Sequence, residues 1–462
     1  MKNRMKNRII ILTALLIIAM IPKLSSSESL GPEMLLTGRC RYPIAVTVYS
    51  PVYHVIAQFG QERTQALNKL LRHLSVTVTL DGDISETCLA VDDEPVYSYI
   101  VKEKDSVRKT VYSIQLDTFY QQKSEEPDTG NTLMLFLDGD FFTLNRMLDD
   151  FYPLFEKTAE SFKEYAKPSA AVSLNFRGYG KGVRKLTIPL PDNYIRDKFP
   201  EKAASLADTD EARMLIRSLL FSGAQKIILL YDQDDRLLRI NYDGSVGNSE
   251  ESIRKVSAVW RCVRTDKRKK DHLTLKTPSV KGTDKYILIY EREVDESDSE
   301  RQIIKWDLQL DMKEEEVRKK ITFNADLQLD QNILSGKILY SEKQDGNEKK
   351  TTIIPSMKKE NESEYSGTIE IANNSGKIVT SSTQYTVRVI PGKELTEPES
   401  IAECTSANPD PDTESGEELL RQRLDSVLLR KLLSLPPEDT EFFSLDIPQD
   451  VWMTLFHLLM KK

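Results

Sequence analysis

Long apolar runs, histidine and cysteine are all scarce in this 462-residue sequence. Beyond the first 30 residues, no stretch is long and apolar enough to cross a bilayer as a helix, which takes about 20 residues. The four cysteines and four histidines fit no metal-site spacing and no catalytic pair. Nucleophile-elbow and zinc-protease signatures are missing too. The sequence therefore predicts no catalytic, cofactor-binding or metal-binding residue, no helical multi-span membrane protein, and a binding protein rather than an enzyme.

The first 27 residues have the pattern of a secretory signal peptide. Four basic residues precede the thirteen apolar residues Ile9–Ile21, and Pro22 ends the run. Thirteen residues extend about 20 Å as a helix, which is too short for an apolar bilayer core of about 30 Å. We expect cleavage after Ser27 and export of the remainder, to the cell envelope or the exterior. An uncleaved N-terminal anchor is the alternative.

The predicted leader contains five basic residues and no acidic residue, so its removal takes the formal net charge from −8 to −13. A chain this acidic is a poor candidate for binding nucleic acid. The expected partner is instead an unidentified protein or a lipid-like ligand at the cell envelope.

The cysteines allow two disulfides in an exported chain, and these can pair in three ways. They are Cys40, Cys88, Cys262 and Cys404. Cys40 with Cys88 is the more natural local pair, and four free thiols are the alternative.

The clearest structural signal is an alternating pattern between Lys285 and Ile390. In Ile304–Met312 every even-numbered residue is apolar and every odd-numbered residue is charged or an amide. Because side chains alternate between the two faces of a strand, this pattern predicts strands with one dry face and one wet face. Short polar turns such as Asp345-Gly346-Asn347 indicate hairpins.

The earlier chain suggests three loosely similar units, each a helix followed by a hairpin. The first unit combines a helix over Val55–Leu74 with strands over Ser75–Leu80 and Cys88–Val91. The second has a helix between Leu144 and Tyr165 and then strands around a glycine-rich turn, Arg177–Gly182. The third has a helix near Ala212–Leu219 and strands on either side of Asp232–Asp235. Helices need a sheet on which to bury their apolar stripes, so we expect them to cover one sheet face.

Two segments invite a functional interpretation as basic surfaces. The glycine-rich turn lacks a following helix, so it is expected to be a hairpin rather than a phosphate-binding loop. With Arg177, Lys181, Arg184 and Lys185 it is a candidate contact for an anionic polymer. The run Lys267–Lys270 is expected at a hairpin tip, where an acidic glycan or a lipid headgroup is the functional alternative to plain solvation.

One short segment resembles haloacid-dehalogenase-type phosphatases. In that family an apolar strand delivers Asp-x-Asp to a magnesium-bound phosphate, and here Leu133–Leu137 precedes Asp138-Gly139-Asp140. The resemblance covers about eight residues, and Phe142 stands where the family usually has Thr or Val. It implies a metal-dependent phosphoesterase centred on Asp138 and Asp140. Tight-turn chemistry is the competing interpretation, because Asp81-Gly82-Asp83 repeats the motif.

The pattern of the C-terminal region predicts an acidic, proline-rich linker followed by helices over Glu417–Leu435 and Pro448–Leu459.

The predicted fold class is α+β: an antiparallel meander with amphipathic helices on one face, plus C-terminal helices. Its architecture resembles the unclosed barrels of bacterial lipoprotein carriers, so an open half-barrel is one form it can take. The predicted divisions are the signal peptide 1–27, an N-terminal α+β region 28–200, a meander domain 201–391, a linker 392–416 and a helical segment 417–462. The functional hypothesis is an exported, non-enzymatic protein that binds a partner or an apolar ligand through its one-sided sheet.

Overall fold

The structure is a computed structural model that divides into two compact units. Unit 1 comprises Met1–Pro127, Asn332–Ser335 and Thr352–Lys462, and unit 2 comprises Asp128–Gln331 and Gly336–Thr351. The described residues are 43–57, 59–81, 84–104, 107–114, 117–124, 148, 152, 167–168, 173–190, 220–247, 254–265, 267–278, 285–295, 297–298, 301–314, 317–330, 333–361, 364–396 and 414–445. Strands are numbered β1 to β21 along the chain.

Unit 1 is built on an antiparallel sheet. Its strands are β1 (Ile44–Ile56), β2 (Leu74–Asp81), β3 (Ile84–Val91), β4 (Glu94–Lys104), β5 (Val107–Ile114), β6 (Asp117–Ser124), β20 (Glu364–Ser375) and β21 (Ile378–Pro391). Strands β1 to β6 pair in chain order as a meander. On its other side β1 pairs with β21, which pairs with β20. The first described strand therefore joins the early hairpins to the late ones.

Helix α1 (Gln61–Leu71) confirms only the central part of the helix predicted over Val55–Leu74. Val55 and Ile56 belong to β1, where they face Ser382 and Ser381 of β21. Leu74 begins β2. Strand pairing at both ends satisfies more backbone groups than one further helical turn would, so it overrides the local helical pattern.

Helix α2 (Glu414–Leu433) and a short 3-10 helix (Glu441–Ser444) confirm a helical segment after the linker. They pack with α1 against strands β2, β3 and β4 in one apolar cluster. Its buried members are Ala66, Leu67, Leu70, Leu71, Leu74, Leu89, Val91, Val96, Leu428, Leu432, Leu435 and Phe442. In unit 1, α1 and α2 therefore cover part of one face of the sheet.

Unit 2 contains a second antiparallel meander. Its strands are β7 (Lys167–Pro168), β8 (Leu174–Phe176), β9 (Gly180–Gly182), β10 (Arg184–Leu190), β11 (Leu220–Tyr231), β12 (Leu237–Gly247), β13 (Arg254–Thr265), β14 (Arg268–Pro278), β15 (Lys285–Asp295), β16 (Arg301–Glu314) and β17 (Val317–Asp330). Strands β10 to β17 pair in chain order, and β7 pairs with β10. Strands β8 and β9 form a separate hairpin. Strands β18 (Ile333–Gln344) and β19 (Asn347–Asn361) each contribute residues to both units.

The unit 2 sheet has the two unlike faces that the alternating pattern predicts. Trp306, Leu308 and Phe323 lie on β16 and β17 with 3%, 3% and 6% of their surfaces exposed. The intervening Lys305 and Asp307 are exposed. We call the side of Trp306 and Leu308 the apolar face and the side of Lys305 and Asp307 the charged face.

The described residues form a mostly antiparallel β protein, which corrects the predicted α+β class towards all-β. The β content exceeds the prediction because pairing extends most strands beyond their alternating runs. Strand β1, for instance, includes Val55 and Ile56, which the sequence pattern assigns to a helix. The strand predicted over Leu133–Leu137 and the helices near Ala212–Leu219 and Pro448–Leu459 lie outside the described residues, as does most of the helix between Leu144 and Tyr165. The half-barrel and the domain boundaries stay predictions.

Candidate binding site on the charged face of unit 2

The glycine-rich segment forms a hairpin, as the sequence predicts. Strands β8 and β9 pair with Phe176 opposite Gly180, and the Tyr179 N–H donates to the Phe176 carbonyl at 2.8 Å. Gly178 occupies the turn with a φ of 79°. A strand, not a helix, follows the loop, so its backbone amides are not arranged as in a phosphate-binding loop.

The glycines let this hairpin lie close against the neighbouring strands. A Cβ atom on Gly182 would stand 2.5 Å from a side-chain carbon of Leu230 on β11. Gly180 has a φ of 121°, a conformation that other residues rarely adopt, and a Cβ atom added to it would stand 3.5 Å from a side-chain carbon of Leu238 on β12. The glycine content therefore serves close packing of the hairpin.

Two aromatic rings of the hairpin cover cations of the charged face. The guanidinium carbons of Arg239 and Arg261 lie 5.4 and 5.9 Å from the centre of the Phe176 ring. The Lys270 ammonium lies 5.5 Å from the centre of the Tyr179 ring. Both spacings suit cation–π attraction. Burial, with a further contribution from Glu291, raises the pKa of Tyr179, so its hydroxyl stays protonated at neutral pH.

Strand register places five polar side chains in one row beneath and beside this hairpin. Arg239 on β12 faces Arg261 on β13, and Arg261 faces His272 on β14. His272 then faces Glu291 on β15, which faces Asp307 on β16. We call these five residues the charged row. Two cations occupy one end of the charged row, and two carboxylates occupy the other.

The arginine end opposes like charges, which is unfavourable between facing strand residues. Burial, together with the positive charge of Arg261, lowers the pKa of Arg239. The Arg239 Nε–H donates to the Asn241 side-chain oxygen at 2.7 Å. The Nε of Arg261 is buried without a hydrogen-bond partner among the described residues. Neither arginine forms an ion pair within that part of the chain.

The carboxylate end also opposes like charges. Burial and the neighbouring Glu291 raise the pKa of Asp307, while Asn324 and Lys320 act in the other direction. His272 lies between the two ends, with its Nδ1 2.7 Å from a Glu291 oxygen and its Nε2 3.2 Å from the Thr274 hydroxyl. The charged row thus keeps two repulsive pairs on one face of a sheet.

The predicted basic run Lys267–Lys270 contributes less free charge than its composition suggests. Only Lys267 lies in the turn, whereas Arg268 to Lys270 lie in β14, which corrects the expectation of a hairpin tip. Arg268 and Lys270 both donate to Glu293, at 2.5 and 3.2 Å. Burial acts to raise the pKa of Glu293, but these hydrogen bonds outweigh it and hold the pKa below its ordinary value.

The apolar face carries a charged cluster of a different kind. Asp271 and Arg292 face each other on β14 and β15, and neither side chain is exposed. Asp271 accepts from Arg292 at 2.6 and 2.7 Å, from Arg264 at 2.8 Å and from the Trp260 indole at 2.9 Å. Every charge in this cluster has an opposite partner, so it has the features of a structural ion-pair network.

Unit 1 contains a polar cluster around His73 in which each ionisable side chain has a partner. His73 contacts Asp92 through Nδ1 at 2.5 Å and Asp439 through Nε2 at 3.0 Å. Arg72 reaches the same Asp439 carboxylate at 2.7 Å. Asp439 follows α2, so this cluster ties the C-terminal segment to α1 and β3. We interpret it as structural.

Several predictions concern residues outside the described part. Asp138 and Asp140 are among these, as are Cys40 and Cys404, so the phosphoesterase alternative stays a prediction. Cys88 forms no disulfide, which corrects the expected Cys40–Cys88 pair. Cys262 is buried and donates to the Leu237 carbonyl at 3.4 Å, so packing rather than cross-linking accounts for it. Among the described residues no cluster of potential ligands could hold a metal ion.

Sequence reasoning missed Arg239 and Arg261, which stand 22 positions apart in separate strands. Each is a cation between apolar neighbours, Leu238 and Ile240 in one case and Trp260 and Cys262 in the other. That local signal marks a strand with one polar side and nothing more. Only the register of β12 against β13 brings the two guanidinium groups together.

Comparisons with known proteins give no family for this chain. No protein-family model matches it, and no curated protein matches it. Among solved structures, the outer-membrane expressed OmpT of Vibrio cholerae is 5% identical over 76% of this chain and 96% of its own, with a TM-score of 0.25. Wzi, an outer membrane protein involved in group 1 capsule assembly in Escherichia coli and described as a carbohydrate-binding β-barrel, is 6% identical over 77% and 85%, with a TM-score of 0.22. The anion-selective porin from Comamonas acidovorans is 8% identical over 75% and 98%, with a TM-score of 0.17. At such TM-scores these likenesses carry no argument about function.

Proposed function

We propose that this chain is an exported, non-enzymatic protein of the cell envelope that binds a polar ligand or partner on the charged face of unit 2, beside the β8–β9 hairpin. One observation carries the proposal: the charged row opposes like charges at both of its ends. Such an arrangement costs folding stability, whereas a ligand that supplies the missing counter-charges would offset the cost.

The apolar face is a less suitable surface for a ligand. Leu288, Tyr290 and Leu310 at its centre have no measurable exposure, and Trp306 has 3%. An apolar ligand would have to displace side chains that the protein already packs, at a cost of several kcal/mol for each large residue. The charged face is therefore the better candidate for a binding surface.

Export is supported by the basic and apolar pattern of the first 27 residues, which lie outside the described part. The described residues include no helix long and apolar enough to span a membrane. Intact-mass measurement of the protein from its native host tests export and cleavage together. We expect a mature chain that begins at Glu28, and a full-length mass in the cytoplasmic fraction would contradict it.

Binding is tested with the mature chain against purified envelope glycans and lipid vesicles. We expect at least one component to bind, and Phe176→Ala to weaken that binding by about tenfold, since the ring covers both arginines. The matched control is Ile378→Ala, because Ile378 is 68% exposed at a hairpin end in unit 1. Equal affinities for the wild type and Phe176→Ala would remove the hairpin from the site. Absence of binding to every component would contradict the proposed function itself.

A further inference from the structure

We propose that Arg239 and Arg261 form a binding site for a tetrahedral oxyanion, a phosphate or sulfate group carried by the ligand. This inference deepens the proposed function and rests on it. It names the chemistry at one end of the charged row, where two guanidinium groups meet under the ring of Phe176.

The residue type favours this chemistry. A guanidinium group is planar and presents several N–H donors in a fixed fork, which matches the oxygens of phosphate and sulfate. Two forks that face each other across neighbouring strands can donate to one anion from two sides. Asn241 holds Arg239 by its Nε, and no described residue accepts a hydrogen bond from the outer N–H groups of that side chain.

The local charge balance also favours an anion. Elsewhere in unit 2, the half-buried Arg268 has a carboxylate partner, Glu293, at 2.5 Å. Arg239 and Arg261 have no such partner among the described residues, and each instead faces the other. Since the mature chain is strongly acidic overall, two adjacent unneutralised cations are a local exception that an anion would relieve.

The position of the pair strengthens an electrostatic contact. Both arginines are half-buried beneath an aromatic ring, and an ion there is less screened by water than at an open surface. A charge-assisted hydrogen bond is about twice as strong as a neutral one. The Arg261 Nε, buried and unpartnered within the described part, supplies a donor that a bound oxyanion would satisfy.

The test is titration of the mature chain with inorganic phosphate and inorganic sulfate, with chloride at equal ionic strength as the reference. We expect saturable binding that raises the melting temperature of the wild type. In Arg239→Gln and Arg261→Gln the dissociation constant should rise by about tenfold or more. Arg261→Lys keeps the positive charge but loses the forked arrangement of N–H donors. Its dissociation constant should therefore lie between those of the wild type and Arg261→Gln. Arg301→Gln is the matched control, since Arg301 is an exposed arginine outside the charged row that donates to the Gln328 side-chain oxygen, and the affinity of this variant should match that of the wild type.

Vesicles distinguish the source of the anion. Vesicles of phosphatidylglycerol that bind wild type but not Arg261→Gln, with phosphatidylcholine vesicles inert, would assign the anion to a lipid headgroup. Phosphate or sulfate binding without vesicle binding would assign it to a soluble or glycan-borne group. Equal affinity in wild type and both glutamine variants would overturn the oxyanion site, as would absence of phosphate and sulfate binding. The proposed function would survive that result if Phe176→Ala still weakened an envelope ligand.

The two glutamine variants are expected to fold. Each removes one of two like charges that face each other, so the melting temperature of each variant should equal or exceed that of the wild type. A variant that binds poorly while it melts at or above the wild-type temperature has lost the site rather than the fold. A clear drop in melting temperature for both variants would show that the arginines serve the fold instead.

Discussion

Two pairs of facing charges in unit 2 share the same cross-strand geometry, but one pair attracts and the other repels. Asp271 and Arg292 face each other on β14 and β15, and Arg239 and Arg261 face each other on β12 and β13. The first pair lies on the apolar face without exposure, while the second lies half-buried on the charged face. In the first pair each charge has an opposite partner, whereas in the second pair two positive charges repel each other.

The difference separates structural charges from candidate functional ones. The Asp271 carboxylate receives donors from two arginines and a tryptophan, so no external group is needed. The arginine pair has donors that nothing in the described chain accepts. A ligand that accepts hydrogen bonds from these donors would offset part of the cost of that imbalance.

The largest expected effect comes from breaking the complete cluster. Asp271→Asn leaves Arg292 and Arg264 buried around a neutral amide, so we expect it to lower the free energy of unfolding by about 3–5 kcal/mol. Urea unfolding followed by tryptophan fluorescence measures this, because Trp260 and Trp306 both lie in unit 2.

The matched control for Asp271→Asn is Asp326→Asn on β17. Asp326 is 69% exposed and lies 3.6 Å from Lys305, so its loss should cost less than about 1 kcal/mol. Similar effects of the two substitutions would show that burial of the Asp271 cluster contributes little, and the contrast with the arginine pair would lose its basis.

An intermediate effect is expected in unit 1, where the cluster around Asp439 is also complete. Burial acts to raise the pKa of Asp439, but hydrogen bonds from Arg72 and His73 outweigh it and hold the pKa below the ordinary 3.8. A lowered folded pKa contributes stability that is present above the unfolded pKa and is lost as the pH falls through the folded one. Melting temperatures of the wild type should therefore fall below about pH 4.

Asp439→Asn should lower the melting temperature at neutral pH and flatten that acid dependence. Glu441→Gln is the control, because Glu441 is a 47% exposed carboxylate in the same segment that pairs with Lys69 at 2.8 Å. It should have the smaller effect. An unchanged acid dependence in Asp439→Asn would assign the loss of stability to other carboxylates.

The strands of both units could largely be predicted from alternation alone, since burial on one face fixes which residues point inward. Trp306, Leu308 and Phe323 are on the side that their positions indicate. The ends of elements were harder, and Val55 illustrates why: its local pattern suits a helix, but β21 is available to pair with it. That partner is more than 300 residues away and has no local signature.

The candidate site was predictable only in part. The hairpin and the basic run at Lys267–Lys270 stand out in composition, and the hairpin's Tyr179 does contact Lys270. Arg239 and Arg261 do not stand out, because a facing pair is a property of register between two strands. Glu291 and Asp307 could not be predicted as a pair either, because only the register of β15 against β16 shows that they face each other.

The smallest expected effect concerns the carboxylate end of the charged row, where Glu291 faces Asp307. Burial and Glu291 raise the pKa of Asp307, so the charged form is destabilising at neutral pH, and this penalty disappears as the pH falls through the raised pKa. Asp307→Asn should therefore raise the free energy of unfolding at neutral pH by about a few tenths of a kcal/mol, with no gain in acid.

Asp311→Asn on the same strand is the control, because Asp311 faces Lys320 and its loss should bring no gain. If Asp307→Asn stabilises the protein and leaves oxyanion affinity unchanged, the two ends of the charged row act independently. If Asp307→Asn changes the oxyanion affinity, the two ends of the charged row are energetically coupled and form one site.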